Sequence, residues 1–210
     1  MLLDLWAKGH RMTWGHQAEA LPGGDLCFYL GYGKIVDRVT RDRYQHNLIV
    51  HESALPEGKG WSPMTWQILA GKNQFTVSLF EAVDEVDAGP IYLQETFHLQ
   101  GTELVSEWRA LQAKMTRKLC STFISEYPAV LNLAHRQEGK ESFYPRRTPK
   151  DSRLNPDRPL KEQFDLLRVV DNERYPAYFE IGGREYILFI SRKSQKLDIH
   201  DKAFQGDENS

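Results

Sequence analysis

Residues 47–92 read NLIVHESALPEGKGWSPMTWQILAGKNQFTVSLFEAVDEVDAGPIY. A short apolar run ends on His51, where the chain breaks into Ser53, Pro56, Gly58 and Gly60. A second run, TVSLF at 76–80, leads through an acidic loop to Asp87-Ala88-Gly89. Both runs have strand length and are closed by turn residues. Two strand ends that each hand one ionisable side chain to a neighbouring loop make an α/β active site, because ligands in such folds bind beyond the strand ends.

The flanking sequence fills in the fold. Upstream, residues 25–30 (DLCFYL) form a buried strand that runs into Gly31-Tyr32-Gly33, and His46 to His51 form another. Arg11 to Gly15 reads as a short strand, and Met1 to Gly9 as the last turns of an amphipathic helix closed by a glycine. A parallel α/β sheet opens on a strand before its first helix, so the expectation is a sheet with its first strand missing. Downstream, Met64 to Leu69 is helical, and Thr76 to Phe80 and Ile91 to His98 are strands. Between Thr102 and Tyr127 the apolar residues Leu104, Trp108, Leu111, Met115, Leu119 and Phe123 recur every three or four positions. That spacing predicts a helix, with Thr102 as N-cap and Pro128 beyond its end.

Residues 136–158 are polar and proline-bearing and read as a connecting loop. Leu160, Phe164, Leu167 and Val170 then outline another amphipathic helix, and Gly182-Gly183 closes a β-hairpin. The expected division is a core over 1–130, an extension over 131–192, and a polar tail over 193–210 expected to be disordered.

Composition bounds the function. With 210 residues and 40% apolar side chains the chain builds one core. A balance of 27 basic and 29 acidic residues argues against a nucleic acid as main partner. Cys27 and Cys120 fall in apolar patterns and read as buried thiols of a reducing cytosol. No run approaches the roughly 18 apolar residues of a membrane span. A soluble cytoplasmic protein is expected. The seven histidines are scattered, so no metal site is expected.

His51-Glu52-Ser53-Ala54-Leu55-Pro56, then Gly60, Pro63 and Trp66, then Asp87-Ala88-Gly89-Pro90-Ile91 resemble the two boxes of the folate-dependent formyltransferase family. Methionyl-tRNA formyltransferase and the sugar N-formyltransferases belong to it. The resemblance covers about residues 20–127. Residues 143–151 (FYPRRTPKD), 167–171 (LRVVD) and 175–179 (YPAYF) are similar to the segment that follows the core in sugar enzymes acting on pseudaminic- or legionaminic-type amino sugars.

The resemblance implies a Rossmann-like α/β core with a mainly parallel sheet, plus a small C-terminal helix and β-hairpin extension. It also implies 10-formyltetrahydrofolate as formyl donor and an amino-sugar acceptor that is free or nucleotide-linked; separately, an exposed C-terminal hairpin is a candidate surface for a homodimer. The resemblance casts His51 as the group that stabilises a developing oxyanion and Asp87 as its partner and proton acceptor. Alone, His51 also reads as a satisfied histidine at a strand end.

The family's asparagine lies two residues before the histidine, where this chain has Ile49; Asn47 lies four before. Asn47 is therefore either a catalytic residue brought closer by a bulge or a polar strand residue bonding a turn. Tyr32, Gly33, Ile35, Asp84 and Val86 fall in the loops that wall the pterin by resemblance; Asp84 is otherwise an ordinary solvated acid. Ser53, Arg168 and Tyr175 are candidates for the acceptor. Their alternatives are a turn hydroxyl, a solvated helix arginine and an aromatic covering the hairpin. Two other functions stay open: formyl transfer to another amine such as methionyl-tRNA, and a truncated, non-catalytic folate-binding remnant.

Overall fold

A computed structural model describes residues 2–193. The tail expectation falls on 194–210, outside the described residues. In chain order the elements are α1 (Leu2–Ala7), β1 (Gly24–Tyr29), α2 (Arg38–Arg41), β2 (Tyr44–His51), β3 (Lys59–Gly60), α3 (Pro63–Leu69), β4 (Gln74–Glu81) and β5 (Ile91–His98). They continue with α4 (Val105–Glu126), β6 (Phe143–Tyr144), α5 (Phe164–Val169), β7 (Ala177–Ile181) and β8 (Arg184–Leu188).

The central sheet has the order β1-β2-β4-β5. β1 and β2 are parallel, joined by a crossover that carries α2, and β3 pairs parallel with β6. β4 joins β2 antiparallel, and β5 joins β4 antiparallel. The α/β class is as expected, and this sheet is mixed. The reason is local: β4 and β5 are connected by residues 82–90 alone, and so short a link returns the chain alongside its own strand in the opposite direction.

One face of the sheet is covered by α4. Leu119, Cys120 and Phe123 pack on Leu48, Val50, Val77, Leu79 and Tyr92, while Trp108, nearer the start of α4, joins Met64, Ile68, Phe75, Leu99 and Val169. Each such side chain taken out of water contributes about 1.5–3 kcal/mol. Burial pushes the Cys120 thiol up to about 12 and raises Cys27 as well, so both are held as neutral thiols.

Three local expectations are corrected. Residues 11–15 form no strand, and their side chains are exposed: nothing pairs with them, so their alternation has no sheet to act on. Thr102 does not cap α4. Glu103 accepts from the amides of Gln100, Gly101 and Thr102 at 2.7, 3.1 and 3.1 Å, and the helix begins after Leu104, whose N–H is held by Glu107 at 2.8 Å. The segment 136–158 is not wholly loop, because β6 and a short 3₁₀ turn at Pro149–Ser152 lie inside it. The hairpin is as read: Gly182 and Gly183 take φ of 59° and 74°, the conformation of a type I′ turn.

Glu103 yields a prediction. Burial raises its pKa, but the backbone N–H groups around the carboxylate outweigh burial and hold it below the usual glutamate range. A depressed carboxylate stabilises the fold above its unfolded pKa, and that stability is lost as pH falls through the folded value. Glu103→Ala is expected to lower unfolding free energy by about 1–3 kcal/mol at pH 7. Urea titrations of both proteins should converge as the pH is taken down through the acid range.

Candidate active site

His51 ends β2, the second strand of the sheet, and is 7% exposed. Its Nε2 lies 2.8 Å from the Gly58 carbonyl. A carbonyl only accepts, so Nε2 carries the proton in this arrangement. Nε2 is also 4.0 Å from Asp87 Oδ2, which in turn accepts from the Gly60 amide at 2.9 Å. The two side chains therefore meet across one three-residue segment, with the carbonyl of its first residue on one and the amide of its third on the other.

Asp87 has φ 52°, a left-handed conformation that aspartate tolerates better than most residues but at a cost. Its surroundings hold it there. Gln137 donates to the Asp87 and Gly89 carbonyls, each at 2.9 Å. A Cβ at Gly89 would stand 1.7 Å from the Glu81 carbonyl oxygen, so only glycine lets the loop return this close to β4. A strained residue fixed from several sides is typical of a functional position.

Apolar residues on the loops that follow β1 and β4 are left in solvent. Arg41, at the end of α2, bonds the Val83 carbonyl and the Asp84 carboxylate, which ties the segment after β1 to the acidic loop. Ile35, Val39, Val83 and Val86 are exposed, and the α-carbon of Gly33 faces the ring of the half-exposed Trp61. Tyr32 hydrogen-bonds Glu19 at 3.3 Å and leans on Tyr29.

The formyl transferase family model matches residues 16–124, just over half of the chain. The chain belongs to the formyl transferase family. The formyltransferase reading made from the two boxes is thereby borne out.

Solved structures share the fold with this formyltransferase at low identity. Methionyl-tRNA formyltransferase from Clostridium thermocellum is 21% identical over 75% of this chain and 68% of its own, with a TM-score of 0.63. A 4-N formyltransferase from Francisella tularensis is 18% identical over 79% of this chain and 70% of its own, TM-score 0.63. HypX from Aquifex aeolicus in complex with tetrahydrofolic acid is 19% identical over 79% of this chain, TM-score 0.61; this chain spans 29% of it.

The remaining site candidates of the formyltransferase separate clearly. Asn47 is 6% exposed and fully engaged: its Oδ1 accepts from the Tyr29 hydroxyl at 2.9 Å and its Nδ2 donates to the Arg41 carbonyl at 3.1 Å. β2 pairs without a break with β1 up to Ile49 and with β4 from Leu48 to His51, so no bulge brings Asn47 forward. Four strand residues separate its Cα from that of His51 by about 13 Å. In this arrangement the Asn47 side chain links β1 to the end of α2.

Ser53 is buried with its Oγ unpartnered, and with Gly58, Gln67, Lys72 and Tyr144 it lines a polar cavity of about 130 Å³. Arg168 is neither solvated nor free for a substrate. Its side chain is 1% exposed, and Nη1 reaches Asp165 at 2.7 Å. The backbone of Tyr175 pairs with Asp171 and its carbonyl accepts from Ser152, which makes it part of the extension's own framework.

Sequence reasoning missed Lys59, Gln137, Glu141 and β6. Gly58-Lys59-Gly60 carried a faint signal, a single side chain held between two glycines. The pairing of β3 with β6, across more than 80 residues, carried none. Among the described residues, no group of three or more His, Cys, Asp or Glu is placed to hold a metal ion, and no helix is long and apolar enough to cross a membrane.

Proposed function

We propose that the chain transfers a formyl group from 10-formyltetrahydrofolate to the amine of an amino sugar, nucleotide-linked, in the cytoplasm. The observation that carries this reading is the buried His51–Asp87 pair, 4.0 Å apart and bracketed by the Gly58 carbonyl and the Gly60 amide. The neutral amine attacks the formyl carbon, a C–N bond forms, and the carbonyl electrons move onto oxygen. The Nε2–H of His51 turns from Gly58 to that oxygen and stabilises it. Asp87 accepts the proton lost by the amine. The bond to folate N10 then breaks, and N10 takes a proton as tetrahydrofolate leaves.

A folate donor is supported by the tetrahydrofolate bound in the HypX structure and by the exposed Val86 and Trp61, the chain neighbours of Asp87 and Gly60. A small acceptor rather than tRNA is supported by the near-balanced charge, since a nucleic-acid partner calls for a basic face. A homodimer is supported by Ile181, Ile187 and Phe189, exposed on the hairpin. The test is calorimetric titration with 5-formyltetrahydrofolate, a less reactive relative of the donor, followed by transfer assays with amino-sugar nucleotides. Saturable binding is expected at one site per chain. A folded sample that binds no folate overturns the reading; formylation of methionyl-tRNA instead of sugars overturns the acceptor.

A further inference from the structure

Lys59 is a buried cation that the chemistry just described does not use. Its side chain is 1% exposed, yet its ammonium is 2.6 Å from Glu141 Oε1, 4.0 Å from Glu85 Oε1 and 5.7 Å from the centre of the Phe143 ring. A charge taken out of water this completely persists only with partners.

Its neighbours show what the cation holds. Gly58 gives its carbonyl to His51, and Gly60 gives its amide to Asp87. Both glycines have positive φ, 77° and 95°, and neither has a side chain to anchor it. Contacts at Gly58 and Gly60 explain their identity: a Cβ at Gly58 would press on Tyr144 and Ser53, and one at Gly60 would stand 2.5 Å from the Tyr144 carbonyl. Within this Gly-Lys-Gly segment Lys59 supplies the sole side chain.

Its two carboxylate partners come from different parts of the chain. Glu85 lies two residues before Asp87 in the acidic loop, and Glu141 precedes β6, which pairs with β3 through Lys59 N to Ser142 O at 2.9 Å and Trp61 N to Tyr144 O at 3.1 Å.

We propose that Lys59 is a positioning residue for formyl transfer: by tying Glu85 to Glu141 it fixes the segment that sets the His51–Asp87 separation. This rests on the proposed reaction. An error of about 1 Å in such a separation costs on the order of a hundredfold in rate, so the anchor acts on turnover more than on binding.

The experiment compares Lys59→Met, Lys59→Arg and Glu85→Gln with the parent chain, reading kcat, amine KM, thermal midpoint and the His51 Nε2 resonance by long-range ¹⁵N NMR. Lys59→Met is expected to lower kcat at least about tenfold with amine KM within about twofold. The Nε2 resonance should move, and Lys59→Arg should recover part of the rate. Glu85 is 71% exposed, so Glu85→Gln leaves the fold intact and decides the question even if Lys59→Met does not fold. It should lower kcat and shift the His51 signal in the same direction. Unchanged kcat and an unmoved Nε2 resonance in folded variants overturn the proposal. If the parent transfers no formyl group, the proposed reaction has failed, and the His51 resonance alone still tells whether Lys59 positions it.

Discussion

His51→Ala and Asp87→Ala are each expected to lower kcat for formyl transfer by at least about a hundredfold, because each removes a group that acts on charge developing in the transition state. Affinity for 5-formyltetrahydrofolate should change little, since in the proposed reaction both side chains act on the formyl group and the amine. Asp87→Asn is the sharper variant. Asparagine accepts the left-handed φ of 52° at similar cost and keeps an oxygen for the Gly60 amide, so the loop stays in place. What it loses is the negative charge and the ability to take the amine's proton. A loss in Asp87→Asn close to that in Asp87→Ala assigns the effect to proton and charge chemistry. A near-normal rate in Asp87→Asn would leave Asp87 only a structural part, and a near-normal rate in His51→Ala would remove the mechanism.

The site was legible where its logic is local. β5 runs from Ile91 to His98 as read, His51 stands where an apolar run ends, and Asp87 in the loop that follows the second run. Helix α4 was legible from its three-and-four spacing, though its start was not: the Glu103 carboxylate gathers three amides and moves the cap past Thr102, an effect periodicity does not encode. What stayed hidden depends on partners distant in sequence. Asn47 stayed open between a displaced catalytic residue and a polar strand residue; Tyr29 and Arg41 take up its side chain, and neither bond can be inferred from a strand pattern. Lys59 carried no reading at all, because β6 and Glu141, which close over it, lie more than 80 residues away in sequence. Two-residue strands such as β3 and β6 have too few positions to show any period.

Arg168 is the clearest such case, and it carries the second large effect. A guanidinium on a short helix in the extension reads from sequence as exposed or as a hand for the acceptor. In the fold it is sealed beneath α4: Nη1 bonds Asp165 at 2.7 Å, Nη2 lies 3.7 Å from Glu103, and its carbonyl accepts from the Trp108 indole at 2.9 Å. Leu167, Val169 and Val170 beside it pack into two apolar clusters, so the arginine sits at the seam between core and extension.

Arg168→Ala removes the charge facing Glu103, whose side chain is only 15% exposed, and leaves an unfilled space between the clusters. Breaking a buried pair from one side costs about 3–5 kcal/mol, a large part of the roughly 5–15 kcal/mol that holds a domain together. Urea unfolding should show that drop. Arg168→Met keeps most of the aliphatic volume and is expected to lose less. Folate and acceptor affinities, measured where the variants remain folded, should match the parent. A stable Arg168→Ala chain with weakened acceptor binding would reverse the assignment and place the guanidinium in the substrate site.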